Sequence, residues 1–488
     1  MSLIQITDLS FAYDGGHDYV FKNASFQIDT DWKLGFTGRN GRGKTTLLKL
    51  LMGEYAYQGS ISASVDFEYF PYPVADAGLD TSLVLESISP DCPYWMLRRE
   101  LAALELDEDI LYRPFSSLSN GEQTKVLLAV LFLKENSFLL IDEPTNHLDM
   151  KGRELVSRYL ASKKGYILVS HDRAFLDGCV DHILSINRAD IEVQRGNFST
   201  WYMNKERRDS FELAENEKLK GEIKRLKETA REKAQWSDRI EASKIGQGPC
   251  DRGYIGHQAA RMMKRSKSIE ARQERAIEEK SKLLKNLETK EDLKISQLKY
   301  HSDRLLLLRD VSIAYGEKTV CSDVSFSVQA GDRVALLGSN GSGKSSLLKL
   351  ICGEPILYSG VFERSDRLII SYVPQDSSFL SGSLSAYAAE REIDESLFKA
   401  ILRKLDFSRE QFEKDMRRFS AGQKKKVLIA ASLCQKAHLH VWDEPMNYID
   451  VISRMQLEEL LLRFRPTLLF VEHDRAFCEK LATKTIRL

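Results

Sequence analysis

Gly38-Arg39-Asn40-Gly41-Arg42-Gly43-Lys44-Thr45 reads as G-x-x-x-x-G-K-[ST], the pattern of a phosphate-binding loop. Glycines let the backbone curl around an anion with no Cβ in the way. The loop's N–H groups then point inward, and a helix expected from about Thr45 offers its positive N-terminal end. Lys44 supplies a point charge for β- and γ-phosphates, and the Thr45 hydroxyl can ligate Mg²⁺. Leu34-Gly35-Phe36 before the loop suits the end of a buried strand, and Leu47-Leu48-Lys49-Leu50-Leu51 after it suits a helix. The alternative is a chance glycine-rich turn. It loses to recurrence, because Gly338-Ser339-Asn340-Gly341-Ser342-Gly343-Lys344-Ser345 repeats the motif 300 residues later. Candidate nucleotide-binding positions are therefore Gly38, Asn40, Gly41, Gly43, Lys44, Thr45 and Thr46, with Gly338, Asn340, Gly341, Gly343, Lys344, Ser345 and Ser346 in the second copy.

Other landmarks repeat in the same order. Residues 118–123 read LSNGEQ ahead of a helix expected to Lys134, and Phe419-Ser420-Ala421-Gly422-Gln423-Lys424 is the twin. A Ser and a Gly at a helix start, Ser119 with Gly121 and Ser420 with Gly422, provide a hydroxyl and backbone donors beside a positive dipole end. Any helix N-cap looks like this, so the signal gains its value from position. Phe138-Leu139-Leu140-Ile141-Asp142-Glu143 is an apolar run ending in two carboxylates, twinned by Leu439-His440-Val441-Trp442-Asp443-Glu444. Such a strand delivers acids to the sheet edge where ligands bind in open α/β folds. Asp142 and Asp443 fit a Mg²⁺ shell, and Glu143 and Glu444 fit a general base for the attacking water. His171 and His473 each follow a further strand, 133 and 135 residues after their loops, and suit a γ-phosphate contact. Tyr13 and Tyr315 precede the loops, and an aromatic there either stacks on a purine or faces the core. Offsets between twins stay between 300 and 302 residues, which marks a duplicated nucleotide-binding domain.

Short strands are expected at Leu3–Ile6, Phe11–Tyr13, Ser25–Ile28 and Lys33–Phe36. Between the copies the character changes. Residues 203–294 hold 24 Lys/Arg against 18 Asp/Glu and read as two long antiparallel helices around a breaker-rich tip at 244–256. Lys244, Arg252, Tyr254, Arg261, Lys264, Arg265 and Lys267 are candidate RNA contacts at and beyond that tip. A charge-laced coiled-coil spacer and a probe among phosphates both fit the pattern. The expected architecture is α/β: two tandem P-loop domains, 1–200 and 301–488, joined by a helical hairpin over 201–300.

Composition narrows the class further. Lys+Arg and Asp+Glu both number 71, so overall charge points to no polyanion and any basic surface is local. The seven cysteines are scattered, which suits reduced thiols in the cytoplasm. Met1 to Ile6 lacks a basic region followed by an apolar core, so no signal peptide is expected. No run approaches 18 apolar residues, so no membrane insertion is expected.

Phosphate loop, S-x-G-[EQ], apolar-DE-P and trailing His together resemble the ATP-binding cassette superfamily. Two cassettes, no spans and a charged helical linker are similar to the ABC-F ribosome-associated ATPases. LSNGEQTKVLL, LIDEPTNHLD, ILVSHDRAFLD, AARMMKRSKSI and SAGQKKKVLIA resemble the Lsa-type resistance group, which is linked to lincosamides, streptogramin A and pleuromutilins. The resemblance implies ATP and Mg²⁺ as cofactors and head-to-tail closure of one monomer's cassettes. Site one would join Lys44, Thr45, Asp142, Glu143 and His171 to Ser420 and Gly422. Site two would join Lys344, Ser345, Asp443, Glu444 and His473 to Ser119 and Gly121. It further implies binding in the ribosome's tRNA exit region, with the linker reaching 23S rRNA and the P-site tRNA near the peptidyl-transferase centre to displace drug. A housekeeping factor adjusting tRNA position and the ATPase subunit of an exporter are the competing readings. Gln375 sits where the family has a Mg²⁺-sensing glutamine, and Tyr72 stands in its place in the first half. Ala421 and Met446 are further departures, so unequal sites are expected.

Overall fold

A computed structural model describes all residues except 1, 14–18, 91, 147, 187–190, 243–297, 299 and 317. Met1–Trp201 and Leu293–Leu488 form one compact unit, and Tyr202–Asp292 forms a second. The first unit holds both halves of the repeat.

Each half is built on a mainly parallel sheet. In the first half the strand order is Asp66–Phe70, Ser137–Asp142, Tyr166–Val169, Lys33–Thr37, His182–Ile186 and Ile191–Arg195, with only the last pairing antiparallel. The second half runs Ile370–Val373, Leu439–Asp443, Leu468–Val471, Arg333–Leu337, Lys484–Arg487. Tyr166–Val169 and Leu468–Val471 are buried at every position, as a sheet covered on both faces requires. The phosphate loops leave Thr37 and Leu337 at the C-terminal ends of central strands, where strand-order reversal opens a crevice. A three-stranded antiparallel sheet flanks each core: Phe21–Asp29, Leu3–Phe11, Gln58–Ser62 and Lys318–Gln329, Arg304–Tyr315, Tyr358–Arg364.

The sequence expectations need four adjustments. Phe11-Ala12-Tyr13 is not a separate strand: Leu3–Phe11 is one strand whose register shifts between Ile6 and Phe11. Asp8 takes a left-handed φ of 51° inside that shift, so a bulge absorbs the break that the polar residues suggest. The helix after LSNGEQ starts earlier, at Asn120, and ends at Leu131. The helix after the first phosphate loop spans Lys44–Leu51. The linker's first helix begins at Phe198, three residues before the hairpin expected from 201, and runs 45 residues to Ala242. Phe198 and Trp201 are buried, so the helix is seeded by apolar burial before its charged stretch begins. At about 1.5 Å per residue it is roughly 68 Å long. The proposed tip and returning helix, with Lys244, Arg252, Tyr254, Arg261, Lys264, Arg265 and Lys267, lie outside the described residues.

The two halves meet within the first unit. Arg39 pairs with Asp406 at 2.5 Å. Arg173 pairs with Glu458, which is fully buried and also accepts from Lys480 Nζ at 3.1 Å. Removing one partner of a buried pair leaves an uncompensated charge. Glu458→Ala is therefore expected to destabilise the chain by about 3 kcal/mol, read as a lower urea midpoint. A change below about 0.5 kcal/mol, the range of an ordinary surface substitution, would mean that solvent already screens the bridge.

Candidate functional site: two composite nucleotide pockets

The phosphate loops adopt conformations that only glycine takes without strain. Gly43 has φ 90° and precedes helix Lys44–Leu51, and a Cβ there would come within 2.6 Å of Val20 Cγ1. Gly343 has φ 83° against Val320 and Cys321 in the same way. Both lysines fold back onto their own loops. Lys44 Nζ donates to Gly38 O at 2.7 Å, Arg39 O at 3.3 Å and Asn40 Oδ1 at 3.2 Å. Lys344 Nζ donates to Gly338 O at 3.0 Å and Ser339 O at 2.8 Å. Burial pulls both ammonium groups below their ordinary pKa, and nearby carboxylates oppose it. A desolvated cation whose only partners are carbonyls is primed to exchange them for an anion.

Each pocket takes residues from both halves. One cavity of about 820 Å³ is lined by Ser339, Asn340, Gly341, Gly343, Lys344, Ser345 and Ser346, with Gln375, Glu444 and His473. Its opposite wall is Ser119 and Gly121 with Asn146 and Asp149. The other, of about 290 Å³, brings Asn40, Gly41, Glu143 and His171 against Ser420, Ala421 and Gly422. Ser119 and Ser420 cap their helices in reciprocal boxes with Glu122 and Gln423. Asn40 Nδ2 donates across the boundary to Tyr448 O at 2.8 Å. A Cβ on Gly422 would fall 2.2 Å from that carbonyl oxygen and 3.2 Å from Asn40 Nδ2, so only glycine permits this approach.

Tyr13 and Tyr315 are half exposed, so neither is a core aromatic. Tyr13 Oη lies 2.7 Å from Thr46 Oγ1, and Tyr315 Oη donates to Ser346 Oγ at 3.2 Å. Both rings therefore stand beside the loop helices.

The carboxylate pairs differ between halves. Thr45 Oγ1 donates to Asp142 Oδ2 at 3.0 Å, and Tyr69 Oη donates to the same oxygen at 3.0 Å. Asp443 has the Ser345 hydroxyl beside it and keeps a buried Oδ1 with no hydrogen-bond partner. Hard oxygen donors beside a hydroxyl fit Mg²⁺. Among the described residues no three acidic, His or Cys side chains cluster for a metal. Glu143 and Glu444 both hold left-handed φ values, 52° and 46°. Such backbone strain, about 1–3 kcal/mol each, persists where the surroundings over-determine it.

Around Glu444 two amides converge on one carboxylate oxygen. Gln375 Nε2 reaches its Oε2 at 2.8 Å, Asn447 Nδ2 reaches the same oxygen at 2.7 Å, and His473 Nε2 stands 3.5 Å from Oε1. Burial alone would raise this carboxyl, but His473 and the Gln375 amide outweigh it and hold the group below its ordinary range. Glu143 has His171 Nε2 at 3.2 Å. Strand register aligns Phe70 with Ile141 and Val373 with Trp442, which makes Tyr72 the counterpart of Gln375. The Tyr72 ring instead lies under the Lys134 ammonium, 5.7 Å away. Burial, with the Asp142 charge adding to it, pushes the Glu143 carboxyl up to about 8. Burial and the Lys44 charge hold His171 well below the ordinary imidazole value.

Several residues at these sites escape motif reading. Arg153 pairs with Asp172 at 3.0 Å and Arg454 with Asp474 at 3.2 Å, all four buried. Thr145 Oγ1 meets Ser170 Oγ at 3.3 Å, where the second half has Met446 N donating to Glu472 Oε1 at 2.7 Å. Asn447 and Asn146, Arg454 and Arg153, and Asp474 and Asp172 share the offsets of 301 and 302, so aligning the two halves residue by residue is the signal that finds them.

Two phosphate loops, each walled by a serine-capped helix of the other half, define a P-loop ATPase made of two cassettes. The family described as ABC transporter matches residues 21–146 and 321–447, and the chain belongs to it. Over 98% of its length the chain is 30% identical to the ribosome protection protein VmlR of Bacillus subtilis (strain 168), covering 85% of that protein. It is 28% identical to the ATP-binding protein Uup of Caulobacter vibrioides, over 96% of this chain and 74% of that one. A solved structure of the archaeal ribosome recycling factor aABCE1, in complex with the stalk protein aP1, matches with TM-score 0.65 and 20% identity. It covers 98% of this chain and 87% of that one, and at that identity the likeness speaks for the fold. The chain is an ABC-F ATPase with tandem cassettes, and ATP is its substrate. Among the described residues no helix is long and apolar enough to cross a membrane.

The raised Glu143 carboxyl has a pH consequence. Its folded pKa lies above the ordinary 4.5, so its contribution to stability is whole below that value and is lost as pH rises toward about 8. Glu143→Gln removes this loss. Without nucleotide, the variant's Tm advantage over the parent is expected to grow from pH 5 to pH 8 by a few °C and then level off. A pH-independent difference would show that Glu143 is ionised throughout.

Proposed function

We propose that the chain is an ATP-gated ribosome-protection factor of the Lsa-like kind. In this reading it binds the tRNA exit region and directs its linker toward the peptidyl-transferase centre. Lincosamide, streptogramin A and pleuromutilin antibiotics then leave. The observation that carries the reading is the 30% identity to a ribosome protection protein across 98% of the chain, joined to a 45-residue helix issuing from a two-site ATPase. The partners in this reading are 23S rRNA and the P-site tRNA.

The site residues take these roles. Lys44 and Lys344 release their loop carbonyls for the β- and γ-phosphates, while Ser119 with Gly121 and Ser420 with Gly422 close on the same phosphates from the opposite half. Tyr13 and Tyr315 would stack on the purines from beside the loop helices. Thr45 with Asp142, and Ser345 with Asp443 and Gln375, would hold Mg²⁺, which supplies positive charge to the phosphate oxygens. Glu444 orients water and takes its proton, with His473 alongside and Asn447 and Gln375 fixing the carboxylate. Glu143 and His171 have the same places at site one, where the carboxyl is protonated until nucleotide and its cation arrive.

Site two is thus the readier hydrolytic centre. Glu444→Gln alone is expected to remove most ATPase activity, by about a hundredfold, and Glu143→Gln alone to remove less than half. The two changes together should trap the chain on ribosomes. Equal losses in the single variants, measured as phosphate release, would overturn this division of labour.

The linker carries the other half of the proposal. Shortening residues 244–256 should leave ATPase activity within about twofold, because neither pocket uses those residues, yet abolish resistance in a susceptible host. Retained resistance would reduce the linker to a spacer.

A further inference from the structure

The first cassette presents three aromatic rings to solvent at one place in its helical region. Tyr94 and Trp95 open helix Tyr94–Ala103, and Tyr112 ends the short 3₁₀ turn Glu108–Tyr112. Their exposures are 50%, 60% and 72%, and the Tyr94 and Tyr112 hydroxyls are neighbours. The duplicated cassette is an internal control. Helix Glu395–Lys404 and the turn Arg409–Glu413 match these elements at an offset of 301 residues, and Glu395, Ser396 and Glu413 stand where the first cassette has its three rings. The aromatic cluster is thus peculiar to the first copy, and large aromatics gathered on a surface mark interfaces.

Charge selects the occupant. Residues 76–113 carry nine Asp/Glu and three Arg, whereas residues 376–418 of the second cassette carry nine and eight. Arg98 is bound by Glu108 and Arg99 by Glu100, and Arg113, next to Tyr112, donates to Ser117 O at 3.2 Å. A polyanion would meet repulsion here. The rings themselves show what they accept: the Arg98 guanidinium lies 5.9 Å from the Tyr94 centroid, and that of Arg99 lies 5.8 Å from Trp95. A planar cation over an aromatic face, rimmed by carboxylates, is favourable on both counts.

We infer that this face docks an arginine-bearing segment of a basic protein, with incoming guanidiniums stacked on Trp95 and Tyr112 and paired with Glu105, Asp107 and Asp109. The inference concerns the isolated chain and does not require the ribosome reading, so either can fail alone.

Fluorescence anisotropy on the full chain with three labelled probes tests it: an Arg-Gly repeat peptide, a Lys-Gly repeat of the same length and charge, and an oligouridylate. The expected result is binding of the arginine peptide at physiological salt, several-fold weaker binding of the lysine peptide and none of the RNA. Trp95→Ala with Tyr112→Ala leaves the net charge unchanged. It should weaken arginine-peptide binding by about tenfold, with phosphate release from ATP unaltered. Trp95→Phe with Tyr112→Phe should restore most of the binding. Three outcomes overturn the inference: no binding by the parent chain, equal binding of both peptides that survives removal of the rings, or RNA binding that the ring variants abolish.

Discussion

Neither phosphate loop can enclose a triphosphate alone, and this incompleteness organises the first unit. Each loop is an open cradle of N–H donors with one buried lysine, and the missing wall belongs to the other half. Lys44 and Lys344 meanwhile turn to loop carbonyls. That is an acceptable partner for an ammonium but a poorer one than a phosphate oxygen. The donors of the serine-capped helix are therefore added to the loop's own only when both halves are face to face. A fold that needs two copies of one domain to make a site explains why the landmarks recur as complete sets.

Duplication did not keep the copies equal. The second glutamate is held by two amides and a histidine, and the first is buried with its neighbour's negative charge acting on it. The change from Thr145 and Ser170 to Met446 and Glu472 is a paired one. A hydroxyl–hydroxyl contact becomes a backbone N–H donated to a buried carboxylate, and the Arg454 charge offsets the extra acid. Substituting either member alone would strand a buried polar group.

Much of this was legible in the chain because the chemistry is local. A phosphate loop is eight consecutive residues, and a strand ending in Asp-Glu announces its own edge. The resemblance supplied the cross-pairing of loops and signatures, which no spacing within one half could have given. What stayed hidden depends on partners distant in sequence. Nothing near Tyr448 says that its carbonyl receives the Asn40 amide, 408 residues away. Tyr72 shows the limit of alignment. Its position matches Gln375, but its ring lies against Lys134, whose ammonium donates at 2.7 Å to Glu68 on the strand that leads to Tyr72. Strand boundaries failed at Asp8 for a related reason: a left-handed residue inside a strand reads as a turn until its pairing is known.

The linker helix is tied to the chain segment that follows His171. His171 faces Glu143, and the next two residues are Asp172, held by Arg153, and Arg173, held by Glu458 of the other half. Arg173 opens the helix Arg173–Cys179. Four residues on, Asp177 accepts from the Ser199 backbone N–H at 2.8 Å and from its hydroxyl, pinning the first turn of the helix that starts at Phe198. Phe198 and Trp201 add burial at the same end. A rigid element transmits a rotation at its root in proportion to its length. Across about 68 Å, a tilt of a few degrees at Ser199 displaces the far end by several ångströms. No glycine or proline interrupts the helix at its root: after Phe198 the first glycine is Gly221 and the first proline is Pro249.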